Sequence, residues 1–281
     1  MRKSAQAYPY VWRLPLLVWQ GLFFVGPLIL MVAMSFWLVR NYRMQPDFIL
    51  DNWDRMLGRD YFWNAYWITL WRASLAALLA SLIAFPASYT LAFRVSDTVR
   101  RWAVFFLIVP FFTSYLVRVY AWQVLLAESG PINAVLGFGG LGPFTMLNSG
   151  FGAMVGYMTL VLPLVVILQT FSLASIDRNL IEAAWNLGAS PRATLFRVII
   201  PAAKVGLIIG AVFAFILSFG DFVSPFYLGG SKPPTLSILI IDTTKSGQQW
   251  PRAAVVAVMM IVTLFVAAFA AVGAAYGKRK S

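Results

Sequence analysis

Cysteine and histidine are both absent from the 281 residues, and charge is sparse: 11% of the chain, against 60% hydrophobic. Without Cys there is no disulfide framework, thiolate nucleophile or Cys-ligated metal; without His there is no imidazole ligand or His general base. That excludes most metalloenzymes and the serine–histidine hydrolases, the six-helix intramembrane proteases among them. The ten acidic residues are scattered, so paired carboxylates for hydrolysis are missing. A phosphate-cradling Gly-x-x-x-x-Gly-Lys-Ser/Thr loop is missing as well, since Gly229-Gly230-Ser231-Lys232 has the wrong spacing. The chain is therefore read as non-catalytic, with no cofactor and no metal, and any nucleotide chemistry has to come from another polypeptide.

What is present is long apolar sequence. A soluble domain carries about 25% charged residues, so this composition excludes a water-soluble globule. A membrane helix needs about 20 mostly apolar residues, because each rises about 1.5 Å through a core about 30 Å thick. Six stretches qualify: residues 14–39, 73–93, 102–126 (interrupted by Arg118), 151–171, 204–227 (containing Asp221) and 253–276. The spacing predicts an all-α polytopic membrane protein with a six-helix domain over residues 14–276, a short segment over 1–13 and a basic tail over 277–281. The first stretch follows Arg2 and Lys3 as a signal peptide would, but it is too long and has no small-residue cleavage site, so it is read as a retained helix.

Lys and Arg number 22 and Asp and Glu 10, a net charge of +12. The basic residues are not a nucleic-acid patch. With six spans both termini share a side, and that side holds Arg2, Lys3, Arg13, Arg94, Arg100, Arg101, the basic residues between 178 and 204, and Lys278, Arg279 and Lys280. The opposite segment, residues 40–60, balances four Arg against four Asp. Positive charge marks the cytoplasmic side, so cytoplasmic termini are expected, with contact between the basic face and anionic lipid headgroups. Trp37, Tyr42, Trp53, Tyr61, Trp63, Tyr66, Trp67 and Trp71 crowd the outer ends of the first two spans and are read as interface anchors.

One cytoplasmic loop is long, residues 172–204. Ser175 or Asp177 can cap a helix start, residues 179–187 make about two and a half turns, and Gly188 can adopt the left-handed conformation that ends a helix. Ser190-Pro191 then opens a second helix leading through Pro201 into the fifth span. Leu180, Ile181, Ala184 and Trp185 put apolar surface outside the bilayer. Such surface either folds back on its own spans or enters a cleft on another protein.

Glu182-Ala183-Ala184, then Gly188, then Val198-x-Ile200-Pro201 resembles the EAA signature of binding-protein-dependent ABC importer permeases, which runs Glu-Ala-Ala, three residues, Gly, nine residues, Ile-x-Leu-Pro. The spacing is complete over twenty residues, with Val198 for Ile and Ile200 for Leu. The resemblance implies a type I importer permease fold and a coupling helix seated in a cytoplasmic ATPase, with Glu182, Ala183, Ala184, Trp185 and Gly188 carrying the coupling. It also implies an inner-membrane location and three kinds of partner: an ABC ATPase dimer, a second and distinct permease, and a periplasmic binding protein. Residues 112–126 with Gly130-Pro-Ile-Asn133, Pro86-Ala-Ser-Tyr89, Gly220-Asp-Phe-Val-Ser-Pro225, Leu228-Gly-Gly230 and Trp250-Pro251 are similar to the spermidine/putrescine branch, although Arg252 departs from it. Permeases for iron, opines, amino acid derivatives and aminophosphonates share much of this pattern.

Charged groups within a bilayer cost about 2.5–3.5 kcal/mol on insertion scales and tend to face a cavity or a partner. Arg118 and Asp221 are the two such groups. Either they pair with each other, or Arg118 meets Glu128, or Asp221 lies on the solute path and offsets the desolvation of an ammonium group. Tyr120, Trp122, Phe222 and Tyr227 would then add cation–π faces. A stand-alone secondary transporter and a membrane scaffold remain the readings from other classes.

Overall fold

In a computed structural model, residues 13–277 are described. Arg2, Lys3, Lys278, Arg279 and Lys280, on which part of the orientation argument rests, lie outside them. The chain falls into two compact units, Met1–Trp63 with Leu239–Val262 and Asn64–Ile238 with Thr263–Ser281.

Among the described residues the first unit starts with α1 (Arg13–Met34), an apolar helix whose side chains are largely exposed and which is wide-turned over Gly21–Val25. It ends five residues before the expected limit of 39. The reason is a side chain far along the sequence: buried Asn52, on α2 (Asp51–Leu57), donates to the carbonyls of Ser35 and Trp37 at 3.1 and 2.8 Å. The captured backbone turns into a hairpin, β1 (Leu38–Arg40) with β2 (Arg43–Gln45), in the antiparallel register Val39↔Met44. Asn41 and Tyr42 both have positive φ, 49° and 59°, as a two-residue primed turn requires. Trp53 is likewise tied in, its indole donating to the Ser35 hydroxyl at 3.1 Å.

The second unit holds residues 64–238 and 263–281. Helix α3 (Asp60–Phe93) has 34 residues, about 51 Å at 1.5 Å each, and so begins well before the expected residue 73. Its exposed Trp67 and Trp71 occupy that overhang. Its alanine face, Ala77, Ala80 and Ala84, is buried against Val161, Val165 and Val166 of α7 (Gly150–Ala174) and Ala214 of α9 (Pro191–Gly220). Without a solvent-driven hydrophobic effect between spans, close van der Waals approach is what small residues supply.

The third expected span, 102–126, is not one rod. It is α4 (Asp97–Phe112) and α5 (Tyr115–Leu125), bent by 93°. Pro110 weakens the last turn of α4, and the Thr113 hydroxyl donates to the Pro110 carbonyl at 2.9 Å, closing that helix while Thr113 and Ser114 run extended. A short α6 (Pro131–Phe138) follows, its loop closed by Asn133, which donates to the Ala127 and Phe144 carbonyls and accepts from the Phe144 amide.

Helix α9 also departs from expectation. It starts at Pro191 rather than near 204 and absorbs Pro201, which lacks an amide hydrogen, through a widened turn at Leu195–Ile199. It stops at Gly220 rather than 227; Asp221 is extended, and α10 (Val223–Tyr227) begins after it. Then come α11 (Leu236–Lys245) and α12 (Trp250–Tyr276). By length and composition the described residues hold five spans, or six when the bent pair counts as one.

Candidate functional site

The loop helix α8 (Arg178–Asn186) forms where local signals place it. Asp177, not Ser175, is the cap, accepting from the Asn179 amide at 3.0 Å, while the Ser175 hydroxyl turns back to the Ser172 carbonyl. At the other end Gly188, at φ 80°, donates to the Trp185 carbonyl and Ala189 donates to that of Ala184, both at 2.9 Å. That pair of bonds is the two-bond glycine cap that satisfies the last free carbonyls of a helix. Ser190 accepts from the Ala193 amide and starts α9.

Helix α8 is pinned by one residue and bare elsewhere. Ile181 is buried with Ala92, Leu173, Ile176, Ile199 and Ala203. Leu180, Trp185 and Leu187 are 52%, 57% and 88% exposed. The loop folds back on its own spans through Ile181 and leaves these three apolar side chains bare. Ala183 and Ala184 are small exposed or half-exposed residues, and Glu182 shares a hollow of about 390 Å³ with Trp185, Arg94 and Arg178.

The residues expected on the solute path separate into three groups. Asp221, 8% exposed, is turned inward: one oxygen accepts from the Val223 amide at 2.8 Å, the Ser224 amide lies at 3.3–3.4 Å from both oxygens, and the Tyr115 hydroxyl donates to Oδ2 at 2.7 Å. The Ser224 hydroxyl is hydrogen-bonded to the same phenol oxygen, and Gly156 of α7 packs on Ser224. This knot joins the α4–α5 break, the α9–α10 break and the middle of α7. Tyr115, Ser224 and Gly156 were not singled out from the sequence. The spacing Asp221-x-x-Ser224 before Pro225 does signal a helix start, but nothing local points to Tyr115, 106 residues away.

Arg118 does not pair with Asp221 or Glu128; among the described residues the ion pairs are Arg55–Asp51 and Arg100–Asp97. It donates to the Thr159 carbonyl at 3.1 Å, lies 5.5 Å from the Tyr115 ring centroid, and with Trp122 lines a groove of about 560 Å³ between α4, α5 and α7. Tyr120 and Tyr227 form the third group, rings edge-on at 5.1 Å, with Phe226 against Tyr227 and Phe222 against Phe226. Gln123 donates to the Tyr227 carbonyl and holds α5 beside α10.

The Tyr115 hydroxyl donates to Asp221 across the two breaks. Removing it as Tyr115→Phe should cost about 2 kcal/mol, the range for a buried bond to a charged group, and lower the thermal midpoint of the detergent-purified chain. An unchanged midpoint would show that the hydroxyl does not hold the knot.

Apolar helices of spanning length, two of them broken around a buried polar knot, define a polytopic membrane protein. The family comparison makes that specific: the chain belongs to the binding-protein-dependent transport system inner membrane component family, which matches residues 75–280. It is a multi-pass inner-membrane protein and an ABC importer permease subunit. It is 29% identical over 250 residues to the spermidine/putrescine transport system permease protein PotB of Escherichia coli K12, covering 88% of this chain and 90% of that one. A molybdenum transport system permease protein, ModB of Azotobacter vinelandii, is 30% identical over 152 residues, 52% of this chain and 65% of that one. A solved bacterial ABC transporter involved in the import of the acidic polysaccharide alginate has the same fold, with a TM-score of 0.78, 17% identity, and coverage of 99% of this chain and 100% of that chain.

Proposed function

We propose that this chain is one half of a permease pair in an ATP-driven importer of small amino-bearing solutes, polyamines first among them. A periplasmic binding protein delivers the solute, and a cytoplasmic ATPase dimer supplies the energy. The observation that carries this reading is α8: an Ile181 pin, a fixed glycine exit and the bare side chains Leu180, Trp185 and Leu187 on the segment Glu182-Ala183-Ala184 to Gly188. A short amphipathic helix anchored at one face and apolar at another is built to lie in a groove on a partner. The solved alginate transporter in complex with a periplasmic protein, 17% identical with a TM-score of 0.74, supports the same kind of assembly.

In this reading both termini and α8 are cytoplasmic, the companion permease is a distinct homologue, and the basic inner face rests on anionic lipid. Closing of the ATPase pair draws the two coupling helices together and rocks the spans between inward-open and outward-open states. Across the breaks at 113–114 and 221–222, the Tyr115–Asp221 bond and the Gln123–Tyr227 bond couple α5 to α10, so the two short helices act as one lever. The solute path uses the Tyr120, Trp122, Phe222 and Tyr227 rings as faces for an ammonium group. Asp221 acts on it by holding the lever that carries Phe222 and Tyr227.

The similarity to PotB over 88% of the chain supports the polyamine class. The test is purification with the native companions from the membrane, followed by ATP hydrolysis against a solute panel. Spermidine or putrescine, presented on the binding protein, should raise the hydrolysis rate several-fold. Solute flux with no nucleotide-hydrolysing companion would reject the assignment in favour of a secondary transporter.

A further inference from the structure

Arg118 is the one charge inside the bent pair of helices α4 and α5 beyond the first turns of α4, and the surrounding chemistry does not neutralise it. One guanidinium nitrogen reaches the Thr159 carbonyl, the Nε is buried and finds no acceptor among the described residues, and no described carboxylate is within ion-pairing distance. Tyr115, under the guanidinium, has its own hydroxyl committed to Asp221. The rest of the groove wall is apolar, including Met154, Met158 and Pro163. A guanidinium within a span is expensive unless paired, and its planar donor fork matches an oxyanion better than any neutral group.

We infer that the Arg118 groove is an oxyanion subsite, which takes the carboxylate or phosphate-type group of a solute whose amine meets the Trp122 ring in the same groove. This rests on the reading that the groove borders the solute path, and it extends the solute range from bare polyamines to amines that also carry an acid. Arg118 would then sort solutes by charge, while Trp122 offers a ring to whichever part is apolar or cationic.

The absence of cysteine allows a test that needs neither the natural solute nor ATP. A single thiol is introduced as Met154→Cys in the full chain, purified with its companions, and the modification is read on this chain by intact mass. The rate with the anionic sulfonatoethyl methanethiosulfonate is divided by that with its trimethylammonium counterpart, each relative to a free thiol. With Arg118 the ratio should favour the anion, and Arg118→Gln should lower it by about tenfold, the size of one unit charge acting across a partly wet groove. Arg118→Lys should keep most of the bias. 4-Aminobutyrate should slow the anionic reagent and 1,4-diaminobutane should not.

An equal ratio with and without the Arg118→Gln substitution overturns the subsite, as does protection by the diamine alone. If vesicles containing phosphatidylglycerol slow the anionic reagent and phosphatidylcholine vesicles do not, the site belongs to a lipid headgroup and the solute assignment falls. Failure of ATP-driven uptake would count against the importer reading and leave these ratios where they are, so the two can fail separately.

Discussion

Gly188→Pro should abolish ATP-driven uptake while the chain still inserts and purifies with its companions. Gly188 holds φ at 80° and donates its amide to Trp185; proline is confined near −65° and has no amide hydrogen. The substitution removes one bond of the cap and forces the chain out of α8 in another direction, so the exposed Leu180 and Trp185 no longer point as the α8 axis and Ile181 set them. The damage is local, because nothing lies within 4 Å of where a Cβ at 188 would stand. Alanine there is the control: it costs about 1–2 kcal/mol of left-handed strain but clashes with nothing, and most uptake should survive. Glu182→Lys tests the same surface differently, by adding a third cation to the hollow that already holds Arg94 and Arg178; uptake should fall below a tenth of the original with assembly intact. The measurement is solute accumulation in proteoliposomes carrying the complete transporter. Normal accumulation by both Gly188→Pro and Glu182→Lys would refute coupling through α8.

Helix α8 was legible because the signals that start and end it are local. A cap at Asp177, a left-handed Gly188 and a Ser190-Pro191 restart each act within five residues, so the pattern along the chain contains them. The broken spans were not legible. Residues 102–126 and 204–227 are mostly apolar, with Arg118 and Asp221 as their interior charges, and hydropathy reports how long a segment is, not whether it is straight. The available hint was compositional: Pro110 followed by Thr113-Ser114, and Gly220-Asp221 followed by Pro225, put backbone-capping side chains inside spans where straight helices have no use for them. The end of α1 escaped for a related reason. It is set by Asn52, fifteen to seventeen residues away, and hydrogen bonds over that distance leave no periodic trace. The candidate path residues show the same limit. Composition could flag Arg118 and Asp221 as costly charges, but only the fold reveals that Asp221 is already fully engaged and Arg118 is not.

The largest structural effect should come from a position with no functional group at all. Gly156 lets α7 approach the α9–α10 break so closely that an added Cβ would sit 2.6 Å from the Ser224 Cβ and 3.1 Å from Leu228 Cδ1. In most helix contacts a serine could rotate away. Here its hydroxyl is bonded to Tyr115 and its amide lies against Asp221, so moving Ser224 loosens the whole knot. Gly156→Val should therefore cost about 3 kcal/mol, at the top of the usual range for overpacking, enough to unfold much of a marginally stable protein. Gly156→Ala should be milder and, because the obstacle is a single side chain, partly repaired by Ser224→Gly in the same molecule. Such a pair in direct contact should show a coupling of about 0.5–3 kcal/mol, read from thermal midpoints of the four variants by fluorescence-detected gel filtration. If the second substitution adds its own loss without any repair, Gly156 and Ser224 are not in the contact described, and the joint between the two broken spans has to be sought elsewhere on α7.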